Sequence, residues 1–197
     1  MPSEWGLGEL KPLAALSPNP HSGRNTFQHG ASGVQVPKLK ATETWVKAPP
    51  LRRARVLLAA ECVKNLYPDV FKELAEGRVV LTCCPETENP TMLMGKLASM
   101  MTCSKPAEVV VASIEGSPHC LLLHMALNEA LFVAKIRDIE VRHYVVLEGR
   151  LIEVSEEAAR LARYLHLVQK ALEKCPELLE ELGQYSLEHK WATGKQG

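Results

Sequence analysis

A chain of 197 residues, 46% of them hydrophobic, has enough apolar material for one ordinary domain plus an additional segment. Its 23 Lys and Arg balance 23 Asp and Glu, which gives no electrostatic reason to expect nucleic acid or an anionic membrane as a partner. No apolar run approaches the ~18 residues of a membrane span, and the first residues lack the basic region and apolar core of a secretory signal, so the expected address is the cytoplasm.

Residues 1–50 hold seven of the 13 prolines and five of the 12 glycines, without a sustained periodic pattern. They read as an extended tail anchored by Trp5, Leu7, Leu10, Phe27 and Trp45, either disordered or a strap for a larger partner. A regular pattern starts at Leu51, and residues 51–190 read as an α/β domain followed by a loose terminus at 191–197. The apolar run 54–62 predicts a buried parallel strand ending at Cys62. Residues 67–77 predict a helix with Pro68 in its first turn and Gly77 past its end. Residues 78–84 predict a second buried strand, and 89–101 a helix capped by Asn89. A third strand follows at 107–114. A helix over 117–135 is apolar nearly all round, and 139–149 alternates as a fourth strand does. Residues 155–174 predict one amphipathic helix capped by Ser155, with Leu161, Leu165, Val168 and Leu172 as its stripe, and Pro176 opens a short final helix. Strands alternating with helices predict an α/β fold: an open parallel sheet of four or more strands with helices on both faces.

Such a sheet binds ligands outside the carboxyl ends of its strands. Cys62 falls at the end of the first strand, Cys83 and Cys84 at the end of the second, and His119 and Cys120 after the third. Parallel neighbours lie ~4.8 Å apart, so three adjacent strand ends can bring their thiols to one place. With Ser117 as N-cap, Cys120 sits at the third helical position, where free N–H groups favour the thiolate that binds metal. The competing reading is packing, since cysteine is among the most buried residues. Cys103 and Cys175 read as structural, the methionines at 92, 94, 100 and 101 as helix packing, and His143 and His166 receive no role. Glu61, Glu86, Glu88 and Glu115 fall near the same edge without a spacing that singles out an acid–base pair. No C-x-x-C pair is present, which excludes zinc ribbons and ferredoxin-type cluster runs. The first strand leads into Ala-Ala-Glu-Cys-Val-Lys-Asn rather than a glycine-rich phosphate loop, so no nucleotide is indicated.

The segments "VLLAAECVKNLYPDVFKEL", "GRVVLTCCPETEN" and "EVVVASIEGSPHC" resemble the α/β domain of anaerobe-type 4Fe-4S ferredoxin-like proteins over about residues 54–150. There a strand ends in Asp-Cys, a second in Gly-Cys-Pro-Lys, and a third leads to Glu-Val-Pro-Cys-Cys-Gly-Gly. The resemblance puts Cys62, Cys84 and Cys120 on the family's cysteine positions. His119 stands where the first cysteine of the family's pair falls, Leu121 and Leu122 replace the glycines, and the N-terminal cluster-binding module of those relatives has no counterpart.

The expectation is an accessory or electron-transfer-associated subunit of a redox assembly. It would bind an iron–sulfur cluster or zinc through Cys62, Cys84 and Cys120, with His119 as a further metal ligand. One alternative is a metal-free interaction subunit whose residues 1–50 wrap a larger partner. A second is a small enzyme that uses a thiol.

Overall fold

The computed structural model describes residues 39–194, and the expectation of a tail over residues 1–38 lies outside them. Six strands form one sheet: β1 (Leu39–Lys40), β2 (Arg55–Ala60), β3 (Val79–Cys83), β4 (Glu108–Ile114), β5 (Glu140–Leu147) and β6 (Arg150–Val154). Their spatial order is β1-β3-β2-β4-β5-β6, parallel throughout except for the antiparallel β5–β6 pair. The sequence called for an open parallel α/β sheet of four or more strands, and that is the fold, with the antiparallel edge strand β6 added.

The central strands read as unbroken apolar runs because both of their faces are covered. Leu57, Leu58, Val109, Val110 and Val111 have no exposed surface. Helices α1 (Glu61–Leu66) and α2 (Pro68–Ala75) connect β2 to β3, α3 (Pro90–Ser104) connects β3 to β4, and α4 (Pro118–Val133) connects β4 to β5. Right-handed crossovers put α1 and α2 on one face and α3 and α4 on the other, where the latter two pack together. Two caps stand where the sequence puts them. The Asn89 side chain accepts from the N–H groups of Thr91 and Met92, and the Ser117 side chain accepts from that of Cys120. At the amino end of the sheet, Glu108 receives Arg55 at 2.6 Å and Arg78 at 3.1 Å. Burial alone would raise this carboxyl, but the two guanidiniums outweigh it and hold it low.

Four details differ from the sequence reading. The domain reaches back to Leu39: β1 pairs with β3, Ala41 is fully buried, and the Ser104 hydroxyl donates to the Val46 carbonyl at 2.6 Å. A two-residue edge strand has no periodicity to betray it. The first strand stops at Ala60, and Glu61 and Cys62 open α1. The hairpin strand β6 has a Glu148-Gly149 turn, with φ of 50° and 81°, that lacks the usual Asn-Gly signal. The amphipathic stretch 155–174 is two helices, α5 (Glu156–Leu161) and α6 (Leu165–Lys174). No proline or glycine breaks it. The turn between them is tied to α4 by Arg163, whose guanidinium lies 3.3 Å from the Glu129 carboxylate. Two more helices complete the described chain, α7 (Glu177–Tyr185) and α8 (Leu187–Ala192), the latter taking in two residues expected to be loose.

Candidate functional site

The chain runs from β2 to β3 in one direction across the sheet and from β3 to β4 in the other, so the connections diverge between β2 and β4. That is the topological switch point of an open α/β sheet. Strands β3, β2 and β4 are adjacent, as the thiol argument requires. The carboxyl ends of these three strands deliver Cys62, Cys84 and Cys120 to the same edge.

Each residue is held by local structure. The β2–α1 junction has no loop: Ala60 is the last strand residue and caps the helix, so Cys62 lies in the first turn of α1, solvent-exposed. Cys84 follows β3 directly and is half-buried. Its N–H donates to the Glu88 carboxylate at 3.0 Å, while its carbonyl accepts from the N–H groups of Thr87 and Glu88. Glu88 also accepts the Thr42 hydroxyl, which ties the segment after β1 to this turn. Cys120 occupies the third position of α4, its N–H directed at Ser117 Oγ at 3.3 Å, and is nearly buried. Gly116, at φ +77°, makes the turn that brings α4 back over the sheet. His119 is half-exposed, with Nδ1 3.9 Å from the Glu86 carboxylate in the loop after Cys84.

The thiols sense one another. Burial raises the Cys62 thiol, and the neighbouring Cys120, Cys84, Glu86 and Glu61 raise it further. Cys83, the other half of the Cys-Cys pair, points into the core. Burial and then the Glu88 charge push it up to about 12, as befits a packing residue. Burial also works against the Glu61 carboxylate, but the hydrogen bond from Thr82 and the charge of Lys64 keep it low. The edge thus gathers groups that become anions and few cations. Among the described residues, no three His, Cys, Asp or Glu side chains are grouped so as to hold one metal ion.

One open cleft, of about 430 Å³, lies elsewhere, between β5, β6 and α5. Its charges are paired with each other, Arg142 with Glu153 and Arg160 with Glu156 and Glu157. Beside it runs a buried polar chain that the sequence reading missed. Ser113 Oγ lies 2.8 Å from His124 Nε2, and His124 Nδ1 lies 2.9 Å from His143 Nδ1. All three residues are at most 2% exposed, and His143 Nε2 has no hydrogen-bond partner among the described residues. Burial lowers both imidazoles to about 4, helped by His143 at His124 and by Arg160 at His143. The available signal was a histidine inside an otherwise apolar helix and another inside a strand. Nothing in either local pattern links residues 19 apart.

The description "Rossmann-like domain" matches residues 48–190, the greater part of the chain. No curated protein matches it.

Proposed function

We propose, from the premise that this chain belongs to the Rossmann-like domain family, that its switch-point edge is a thiol site for an iron–sulfur cluster, and that the protein is an accessory or electron-transfer-associated subunit of a redox assembly. The observation that carries this reading is the convergence of Cys62, Cys84 and Cys120 on adjacent strand ends, close enough for two of them to act on the thiol of the third. The resemblance to the α/β domain of 4Fe-4S ferredoxin-like proteins picks out the same three cysteines.

The chemistry of the donor set fits a cluster better than zinc. A single zinc ion needs thiolates about 4 Å apart, whereas a cubane spreads its ligands over about 6–7 Å. The edge lacks the tight grouping that one ion demands. Cys62, Cys84 and Cys120 would supply three thiolates and His119 the fourth ligand. Burial and then the neighbouring thiols and carboxylates raise the Cys62 thiol, and a cationic iron core would offset both. When bound, a cluster would supply one-electron transfer. The protein's own part is positional: Ser117 fixes the Cys120 backbone, and Glu88 fixes that of Cys84.

The same edge is poorly suited to the phosphates that many Rossmann-like folds hold. Glu61 stands at the first helical position after β2, where a phosphate would sit, and no glycine loop precedes it. The raised Cys62 thiol is the opposite of an activated nucleophile, which leaves thiol catalysis without support at that residue.

The test is anaerobic reconstitution of the full chain with ferrous iron and sulfide. The reading expects a broad absorption band near ~400 nm, matched by bound iron and acid-labile sulfide. Both should be lost in Cys120→Ser with the far-ultraviolet circular dichroism unchanged. Protein that stays colourless with only trace iron would overturn it.

A further inference from the structure

The geometry points to the cleft between β5, β6 and α5 as a binding site for a small monocarboxylate, held by His143 Nε2 and the Arg160 guanidinium. Protons along the buried chain fix what His143 offers. Among the described residues Ser113 Oγ makes one hydrogen bond, to His124 Nε2 at 2.8 Å. A buried hydroxyl with that single partner donates to it, because the reverse would strand its own proton in the core. His124 then carries its proton on Nδ1 and donates to His143 Nδ1 across 2.9 Å. Neutral His143 is left with its proton on Nε2. That N–H points away from His124, is buried, and has no acceptor among the described residues. A buried donor without a partner is rare and costly. Here the residue that carries it lines an open cleft of about 430 Å³, room enough for a small organic molecule.

The charges around the cleft choose the ligand. Arg160 is the charged group that acts on His143, and its side chain, 52% exposed, is held by Glu156 and Glu157 of its own helix. A guanidinium beside an N–H donor suits a carboxylate, which accepts from both. Nε2 is closed to solvent, so the ligand enters as Arg160 exchanges one of its glutamates for the incoming carboxylate. Arg142 is already taken by both Glu153 oxygens. The three carboxylates that line the cleft outnumber its two guanidiniums, so a second negative charge on the ligand would be repelled and a monoanion is preferred to a dianion. This site is independent of the thiol edge. His143 stands in the first half of β5, whereas Cys62, Cys84 and Cys120 lie beyond the carboxyl ends of β2, β3 and β4.

Nuclear magnetic resonance of the full chain at neutral pH tests it. Long-range proton–nitrogen correlation should place the His143 proton on Nε2, and a proton on Nδ1 overturns the inference. Sodium acetate is the probe, with sodium chloride holding the ionic strength constant. It should shift the Nε2 resonance saturably, with half-saturation on the order of 1 mM, within the ceiling for so small a ligand. Arg160→Ala, at an exposed position, should weaken acetate at least about tenfold, with Arg160→Lys recovering part of the loss. Sulfate, a dianion, should bind at least about tenfold more weakly than acetate. No saturable shift by about 50 mM acetate overturns the site, as does a shift that chloride alone reproduces or an affinity unchanged in Arg160→Ala. Sulfate binding as tightly as acetate overturns the preference for a monoanion.

Discussion

Leu57 and Leu58 in β2 are fully buried, whereas Leu178 and Leu182 in α7 keep 43% and 45% of their surface. Both pairs lie in regular secondary structure, and each is part of an apolar face of its element. The difference lies in what surrounds them. Strand β2 is flanked by β3 and β4 in register and covered on both faces by helices, so its side chains lose all contact with water. Helix α7 packs chiefly against its chain neighbours α6 and α8 and buries no residue. An apolar stripe therefore states that a surface needs burying, not that this chain buries it.

The largest expected effect lies in the sheet. Leu58→Ala should lower unfolding stability by ~2–5 kcal/mol, because a close-packed site cannot collapse around the missing atoms. Leu182→Ala should change domain stability by no more than about 0.5 kcal/mol. Urea unfolding of the two variants checks both values. Equal losses would break the contrast between the regions.

Acid should act on the sheet region alone. His124 and His143 have pKa values lowered to about 4 in the folded protein, so the unfolded chain takes up protons first as the pH falls below about 6.5. Their contribution is fully present above that pH and is lost progressively toward pH 4, a decline on the order of 3 kcal/mol for each histidine. Denaturant unfolding between pH 4 and 8 should follow this decline, and it should be absent when both histidines are replaced by leucine. A flat profile in the unaltered protein would show that the buried pair is not neutral.

The smallest effect compares two chemically matched caps. Ser117 accepts from the Cys120 N–H at the start of α4, and Ser186 accepts from the His189 N–H at the start of α8. Ser117→Ala should lower domain stability by ~1 kcal/mol because α4 is packed on the sheet. Ser186→Ala should leave the domain's midpoint unmoved, because α8 contributes no buried residue to the core. Thermal unfolding resolves the two.

The site was partly legible, and the reason differs by residue. Ser117-Pro118 before an apolar run marks a helix start by local chemistry, which placed Cys120 at the third position. Cys84 follows a strand that its composition reveals. Cys62 was displaced by two residues, because the apolar run gives no sign that the chain leaves the sheet at Ala60 and turns at once into α1. The Ser113–His124–His143 chain could not be read, since it depends on α4 crossing over the β4–β5 pair.

The sequence by itself determined the alternation of strands and helices, the caps at Asn89 and Ser117, and the bilateral burial of β2, β3 and β4. Each of these is a local matter of periodicity, side-chain branching and backbone donors seeking partners. Only the tertiary structure decided the strand order, and with it the convergence of three thiols on one edge. It alone recruited β1 and β6 to the sheet, broke the 155–174 helix in two, and left α6–α8 without a buried residue. Those outcomes rest on contacts between residues far apart in the chain, and a pattern of period two or 3.6 carries no information about which distant surface answers it.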